Sequence, residues 1–380
     1  MGKKIGASKD FKEPKDINSS IFLNSKVKYR ENRKNNKRFR PEKKGVRKIA
    51  SKTVKSVKKS AKNYDKDIAE MENDKELFDD KGYYQVPKDD DIDESEWEDQ
   101  PINSQANTKN LSSILNKMSE VTNEKERRLH EACKEMGDIL SKYRSGKLPK
   151  FFNILPQLEN WEDLILLCSP QNWTPQANYE ATKLFASNLA AVLAEKFNKL
   201  VLLQNIRNDI KTNKKLNIHY YNCLKKSIFK PSSFFKGIII PISINASSKE
   251  AAILGSILKK CSIPVLHSSA ALMLLAQNGY HNGVLYFMKI LISKKYALPL
   301  SVKEELVKYF LSFMDKQNKL TVLWHQTLLS FCQIYKLDLS LVEKDKLRNL
   351  VERHNHPQIS DEILRELNYT KSDKKIMMID

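Results

Sequence analysis

The sequence predicts an all-α fold: an irregular HEAT-like helical-repeat (α-solenoid) domain preceded by a disordered, charged N-terminal region. Three observations carry this prediction. From residue 107 onward, apolar residues recur every three or four positions, as they do along one face of a helix. Short breaks containing Pro or Gly separate about ten such segments, which favours stacked helix pairs over a four-helix bundle. The sustained alternation of apolar and polar residues that is typical of strands is missing.

The formal net charge of +20 on the 380 residues is unevenly spread along the chain. Residues 1–62 hold 22 basic and 5 acidic residues, whereas residues 63–100 hold 4 basic and 16 acidic residues. A segment so charged and so poor in apolar residues buries too little surface to fold by itself. The predicted organisation is a basic disordered arm (1–62), an acidic linker (63–106), an all-α domain (107–370) and a C-terminal tail (371–380).

The helix boundaries follow from caps and breakers. Thr174 before Pro175 is an N-cap followed by a proline in the first turn. Ser247-x-x-Glu250 and Ser301-x-x-Glu304 are two predicted capping boxes. The β-rich run 238–242 contains a proline and is interpreted as a buried helix end. Predicted helices therefore cover about 107–143, 174–197, 200–213, 216–229, a segment opened by Pro231, 247–261, 264–277, 280–293, 301–313, 321–335, 339–352 and 360–367.

Several classes of protein are disfavoured by the composition. The longest apolar run, Ala270–Ala276, is far shorter than the ~20 residues that span a membrane. The N-terminus lacks the apolar segment of a secretory signal. The five cysteines show no CxxC spacing, which supports neither a zinc ribbon nor a disulfide framework. These features predict a reduced, intracellular protein.

A search for catalytic motifs is equally negative. Gly146-Lys147 is not part of a phosphate-binding loop, because no strand precedes it and Leu148 follows. His267 and Ser268 are adjacent on a predicted helix, where their side chains point about 100° apart. His354 and His356 do not have the spacing of a zinc site. We therefore expect no enzymatic activity, no catalytic residue, no metal and no cofactor.

What remains is positive charge on the segments that connect helices. Lys and Arg at such places contact phosphates and position a protein on RNA without reading its sequence. Lysines at a helix C-terminus also complement the helix dipole, so a structural role stays open for each cluster. The predicted RNA-binding residues are Arg144, Lys147, Lys150, Lys225, Lys226, Lys230, Lys236, Lys294 and Lys295.

The densest basic run of the arm, 33–48, predicts a nuclear-import signal or an RNA-binding segment, with a solvated tail as the alternative. Its predicted signal residues are Arg33, Lys34, Lys37, Arg38, Arg40, Lys43, Lys44, Arg47 and Lys48.

The domain resembles the bystin family. The resemblance covers about 140–368 and includes the pairs Asn160-Trp161 and Asn172-Trp173. The strings that carry it, in family order and at similar spacing, are YRSGKLPK (143–150), LFASNL (184–189), FKPSSFFKGI (229–238), SIPVLHSSAAL (262–272), KKYALP (294–299) and VLWHQ (322–326). Within these strings we expect Trp324 and Leu266 to be structural, since both lie within helix patterns.

The resemblance implies a function in ribosome biogenesis. Bystin-like proteins are non-enzymatic assembly factors of the small (40S) subunit that support processing of the 18S rRNA precursor, subunit assembly and export. The implied partners are pre-18S rRNA, pre-40S ribosomal proteins and other assembly factors near the head and beak, with neither a membrane nor a small-molecule substrate. The implied location is nucleus and nucleolus, then transiently cytoplasm with late particles. The alternative is a helical-repeat adaptor for nuclear transport or for a non-ribosomal RNA–protein complex.

Overall fold

The computed structural model describes residues 77–86, residue 97 and residues 124–369. The predicted basic arm with its nuclear-import residues, the predicted C-terminal tail and positions 107–123 of the first predicted helix lie outside the described residues. Within the described ranges the protein is helical except for one two-stranded antiparallel pair, which confirms the predicted fold class.

The described elements fall into two groups along the chain. The first group contains β1 (Tyr83–Tyr84), α1 (Glu124–Lys142), α2 (Lys150–Ile154), α3 (Trp161–Leu167), α4 (Pro175–Asn188), α5 (Ala191–Phe197), α6 (Leu203–Asn213), β2 (Leu216–Asn217), α7 (Ile218–Ser227), α8 (Pro231–Phe234) and α9 (Ile240–Ile244). The second contains α10 (Ser248–Lys260), α11 (Val265–Gln277), α12 (Asn282–Ser293), α13 (Leu300–Leu311), α14 (Val322–Tyr335), α15 (Leu341–Arg353) and α16 (Ser360–Asn368). None of these described helices is both long and apolar enough to cross a membrane.

The helices from α10 onward form two layers. Helices α10, α12, α14 and α16 pack in sequence against one another, and α11, α13 and α15 do the same in the second layer. The chain passes from the first layer to the second through three turns, at Pro264, Pro299 and Ser340, which are 35 and 41 residues apart. This spacing is in the range of helical repeats, and its irregularity explains why no repeat is evident in the sequence.

Side-chain caps define the starts of two helices in these layers. The Ser247 hydroxyl accepts a hydrogen bond from the Glu250 amide, and the Glu250 carboxylate accepts one from the Ser247 amide, which confirms the predicted capping box of α10. Ser340 and Glu343 form the same arrangement at α15. This second capping box was not predicted, although its Ser-x-x-Glu spacing is identical to that of the first.

The capping box predicted at Ser301 is wrong. Helix α13 begins at Leu300, and Pro299 is its N-cap residue. The Pro299 carbonyl accepts a hydrogen bond from the Val302 amide at 3.1 Å, so the first helical turn has already closed around Ser301. Ser301 therefore lies inside the helix, where its hydroxyl is not at the capping position.

The single helix predicted over 174–197 is also wrong, because the chain bends at Leu189. This residue is extended, with a ψ of 149°, and it separates α4 from α5. Leu189 itself is buried, and its carbonyl accepts a hydrogen bond from the Lys230 ammonium group. Val192, just beyond the bend, is 68% exposed. A tertiary contact with a residue 41 positions away thus decides where the helix ends.

Two π-helical segments meet in the first group. They are Asn198–Leu202, between α5 and α6, and Phe235–Ile239, between α8 and α9. A β-carbon added to Gly237 would lie only 2.7 Å from the Asn198 β-carbon, so the backbones approach closely at this point. The Asn198 side-chain amide also donates to the Ser233 carbonyl at 3.3 Å. The run interpreted as a buried helix end is helical and includes buried isoleucines, as predicted.

A buried ion pair joins the two groups of helices. Arg207 on α6 donates from Nε to the Glu250 carboxylate of α10 at 3.0 Å, and from Nη2 to the Asn245 carbonyl at 2.7 Å. Glu250 is 3% exposed. Removing one partner of a buried pair typically costs about 3–5 kcal/mol, because the other charge is left without compensation.

Parts of the predicted acidic linker pack on the helical domain. Strand β1 pairs with β2, and Tyr84 is fully buried with its ring stacked on Tyr221 at 4.9 Å. Asp79 accepts a hydrogen bond from Lys215 at 2.9 Å. Trp97 lies edge-on to Tyr286 at 6.3 Å. These contacts were not predicted, because isolated aromatic residues do not produce a helix-periodic pattern in the sequence.

The aromatic core of the second group is centred on Trp324. This side chain is fully buried, and its ring packs edge-to-face on Phe310 and Phe313, each at 5.9 Å. The prediction that Trp324 is structural fits this placement. The same prediction for Leu266 is wrong, because this side chain is 73% exposed in the first turn of α11.

We expect Trp324→Ala to lower the free energy of unfolding by about 3–5 kcal/mol, since it removes a large buried ring and leaves a cavity. Leu266→Ala, the matched control from the second layer, should change it by less than about 0.5 kcal/mol. Urea titrations followed by far-ultraviolet circular dichroism measure both values. Equal losses in the two variants would contradict the assignment of Trp324 to the core and of Leu266 to the surface.

Candidate nucleic-acid interface

The first predicted cluster lies on the turn between α1 and α2. Arg144 and Lys147 are in the turn and Lys150 is the first residue of α2; all three side chains are exposed. Lys142, the last residue of α1, adds a fourth exposed cation that the sequence analysis did not include. The stretch 142–150 contains no acidic residue, so its positive charge is not offset locally.

This turn has a defined backbone conformation. Gly146 adopts a φ of +108°, which a residue with a β-carbon rarely occupies, and its carbonyl accepts a hydrogen bond from the Tyr143 hydroxyl. The Thr174 hydroxyl donates to the Tyr143 carbonyl at 2.6 Å and ties the turn to the start of α4. The three predicted cations therefore extend from a braced turn rather than from a long loop.

The second cluster, around the turn from α7 to α8, is less exposed. Lys225 is buried, with its ammonium nitrogen 5.2 Å from the centre of the Tyr221 ring. Lys226 is half-buried, and its nitrogen lies 5.7 Å from the centre of the Phe229 ring. Burial of Lys225 does not fit the predicted contact with phosphate, because a phosphate-binding ammonium group must reach solvent.

Lys230 and Lys236 also differ in how far their ammonium groups are accessible to a ligand. The Lys230 ammonium group donates to the Leu189 carbonyl at the end of α4, and burial lowers the pKa of Lys230. Lys236 lies on the second π-helical segment with its side chain exposed. Lys230 thus has a structural partner, whereas Lys236 is available for a ligand.

The third cluster contains two adjacent lysines with different environments. Lys294 donates to the Cys261 carbonyl at 2.8 Å and to the Lys259 carbonyl at 3.2 Å, which satisfies the C-terminal end of α10. Burial lowers the pKa of Lys294, with a smaller opposing effect from Cys261. Lys295 has a left-handed backbone, with a φ of +55°, and an exposed side chain.

Eight of the nine predicted residues therefore lie at or next to three interhelical turns, and Lys236 lies on the second π-helical segment. The structure divides all nine by environment. Three ammonium groups contact the protein itself: Lys225, Lys230 and Lys294. Lys226 is intermediate. The exposed residues, for which phosphate contact stays a prediction, are Arg144, Lys147, Lys150, Lys236 and Lys295.

Sequence reasoning missed a further basic segment at the end of α6. Lys211 and Lys214 are exposed there, and Lys215 is engaged with Asp79. Lys214 has a φ of +57°, which ends the helix and turns the chain toward β2. Three lysines within five residues are a detectable signal.

Three of the seven histidines, His325, His354 and His356, form a partly buried cluster. The ring centres of His325 and His356 are 5.2 Å apart, and His354 Nε2 lies 2.9 Å from the Phe313 carbonyl oxygen. Burial, with smaller contributions from His356 and His354, lowers the pKa of His325 to about 4. His325 is therefore neutral at pH 7 and packs against the core.

The cysteines are buried thiols. All five are free of disulfides, and burial raises the pKa of both Cys223 and Cys332 to about 12. A thiol that stays protonated at pH 7 is a poor nucleophile and a poor metal ligand. In the part of the chain that the structure describes, no group of three or more His, Cys, Asp or Glu residues is arranged to hold a metal ion.

Ser268 and Ser269, beside His267 on α11, are buried. Neither hydroxyl has a hydrogen-bond partner within the described ranges, so neither is hydrogen-bonded to a base there. Small side chains at these positions allow helices to pack closely.

Comparison with known proteins identifies one family. The family model described as Bystin matches residues 91–377. The six sequence strings that carried the resemblance all lie within this range.

Individual relatives give the same result. The chain is 49% identical to bystin of Bos taurus over 242 residues, which is 63% of this chain and 56% of that protein. It is 48% identical to bystin of Homo sapiens over 242 residues, or 63% of this chain and 55% of that protein. It is also 48% identical to bystin of Rattus norvegicus over 242 residues, which is 63% of this chain and 56% of that protein. The matched part thus spans just over half the length of these curated relatives.

The division between structural and available lysines can be tested with an adjacent pair. Lys294→Met should lower the free energy of unfolding by about 1–2 kcal/mol, because it removes charged hydrogen bonds to two carbonyls at the end of α10. Lys295→Met makes the same change of side chain at an exposed position and should have an effect below about 0.5 kcal/mol. Chemical denaturation measures both. A Lys294 variant as stable as the Lys295 variant would contradict the capping role.

Proposed function

Because the chain belongs to the bystin family, we propose that it is a non-enzymatic ribosome biogenesis factor that binds precursors of the 40S subunit. In this function it supports processing of the 18S rRNA precursor, assembly of the small subunit and its export. Its partners are pre-18S rRNA, pre-40S ribosomal proteins and assembly factors near the head and beak. It acts in the nucleus and nucleolus and travels transiently to the cytoplasm with late particles.

The observation that carries the proposal is the braced basic turn between α1 and α2. Arg144, Lys147 and Lys150 are exposed, and no acidic residue lies among them. A fixed group of cations suits contact with the phosphates of a folded RNA, which orient a protein without specifying a base sequence. Lys236 on the second π-helical segment and Lys295 after α12 extend the same chemistry to two other places on the surface.

The basic arm supports the proposal through its charge. Residues 1–62 carry a net charge of +17, which attracts a polyanion over a distance set by salt. Its run 33–48 also supports nuclear import. The arm and the braced turn together give one protein two basic regions for RNA.

A second candidate function is a helical-repeat adaptor outside the ribosome. It is favoured by the two-layered stack of α10–α16, because such stacks present extended surfaces to protein partners. The two functions differ in the size of the complex that contains the protein.

Depletion of the protein should stall small-subunit maturation selectively. We expect 18S precursors to accumulate and free 40S subunits to fall while 60S subunits stay normal, as measured by RNA blots and sucrose gradients. The protein itself should sediment with 40S-sized particles. If it stayed near the top of the gradient and both subunits were unaffected, the adaptor function would be favoured instead.

RNA binding by the braced turn can be tested through its salt dependence. Arg144→Glu/Lys147→Glu/Lys150→Glu should lower the slope of log affinity against log salt by about 2, since each lost phosphate contact removes roughly 0.7–0.9. The control, Lys249→Glu/Lys308→Glu/Lys346→Glu, changes the net charge equally at three exposed positions elsewhere. Filter binding to a pre-18S rRNA fragment measures both slopes. Equal slopes for the two variants would show an effect of net charge alone.

A further inference from the structure

Five exposed aliphatic side chains lie at the starts of the three helices of the second layer. They are Val265, Leu266, Leu300, Leu341 and Val342, here called the apolar edge. Leu266, Leu300 and Leu341 are 73%, 59% and 76% exposed. Helix starts ordinarily favour acidic or hydroxyl side chains, which suit the positive end of the helix dipole. Leucine and valine give no such benefit there.

The three helix starts share one local pattern. A buried aliphatic residue enters each turn, namely Ile263, Leu298 or Leu339. The N-cap residue follows, and Val265, Leu300 or Leu341 comes directly after it; Leu266 lies one position further along α11. The buried residue fastens each turn to the core, so the exposed residue is held at an equivalent position on each helix.

Hydrogen bonds show that the turns are neighbours in space. The Ile263 amide donates to the Tyr296 hydroxyl at 3.2 Å, which joins the first turn to the second. The Tyr335 hydroxyl donates to the Tyr296 carbonyl at 2.8 Å, and Lys303 pairs with Asp338 at 2.8 Å, which joins the second to the third. Packed helices lie about 8–10 Å apart, so the apolar edge spans about 20 Å across the three helix starts.

The surroundings of the apolar edge are basic at its first two turns. Lys259, Lys260 and Lys295 are exposed at the ends of the helices that lead into these turns. The carboxylates lie on α13 and at the third turn: Glu304 is exposed, Asp338 pairs with Lys303 and Glu343 belongs to a capping box.

The positive ends of the helix dipoles at the starts of α11 and α13 add to this positive charge. Neither helix has a side-chain cap among the described residues, so first-turn amides remain for an anionic partner. The apolar side chains and the positive charge together define the chemistry of what can cover this surface.

We propose that the apolar edge is the docking site for an acidic amphipathic segment of a partner protein. Leucine-like side chains of that segment would cover Leu266, Leu300 and Leu341, and its carboxylates would face the lysines and the helix starts. This inference does not depend on the proposed role in ribosome assembly. RNA fits the surface less well, because protein–RNA contacts rely on cations and stacking rings rather than on leucine. A second copy of the chain would bring two basic edges together.

The probe for the test is a fluorescein-labelled synthetic peptide of about 14 residues, long enough as a helix to span about 20 Å. It carries leucines on one helical face and glutamates on the others. Its control has the same composition in an order that gives no apolar face. Fluorescence anisotropy with the full chain measures affinity for both peptides. We expect binding of the amphipathic peptide at least about tenfold tighter than binding of its control.

The matched variants assign the binding to the apolar edge. Leu266→Ser/Leu300→Ser/Leu341→Ser should weaken peptide binding by about tenfold or more, because buried apolar anchors dominate such interfaces. Ile139→Ser/Val192→Ser, at exposed apolar positions on α1 and α5, should leave it unchanged. Lys259→Glu/Lys260→Glu/Lys295→Glu should weaken binding and reduce its sensitivity to salt. Thermal melts confirm that each variant is folded.

Several results would overturn the proposal. One is absence of peptide binding, and another is equal binding by the leucine and control variants. A third is loss of binding to an rRNA fragment in the leucine variant while peptide binding is retained, which would assign the edge to RNA. A fourth is a dimer of the wild-type chain, seen by analytical ultracentrifugation, that the leucine variant abolishes. That result would assign the edge to a second copy.

Discussion

The buried contact between Arg207 and Glu250 is the constraint on which the two groups of helices depend. Glu250 accepts from Arg207 on α6 and also from the Ser247 amide, so one carboxylate both starts α10 and fixes it to the preceding group. Arg207 in turn holds the Asn245 carbonyl just before that start. Because α10 begins the two-layered stack, this contact sets the position from which each later helix pair continues. A charge with 3% exposure tolerates little displacement, since any separation leaves it uncompensated.

Lysine has two separate tasks in this protein. At Lys230 and Lys294 its long side chain satisfies carbonyls where helices end, which a shorter residue could not reach. At Lys147 and Lys295 the side chain extends into solvent. Both tasks occur at interhelical turns because turns hold the unpaired carbonyls of helix ends and also lie on the surface. This shared location explains why composition alone overestimates the number of ligand-binding cations.

The surface of the protein offers two kinds of contact at different places. The braced turn between α1 and α2 is basic and polar, as a surface for phosphate must be. The apolar edge combines leucines with lysines and lies at the turns of the two-layered stack. Under the two proposals above, one protein would hold an RNA and a protein segment at these separate places.

The sequence by itself determined the helical class, the family and most helix boundaries, because these depend on local patterns that a few neighbouring residues encode. The 3.6-residue period, the Ser247–Glu250 spacing and the family strings all belong to this kind. Only the tertiary structure decided that the helix is interrupted at Leu189, where the bond from Lys230 spans 41 residues. It also decided that Lys225 is buried while the adjacent Lys226 is half-buried, and that Leu266 is exposed. Burial depends on which helix packs against a given face, and that information is distributed over the whole chain rather than held in any one segment.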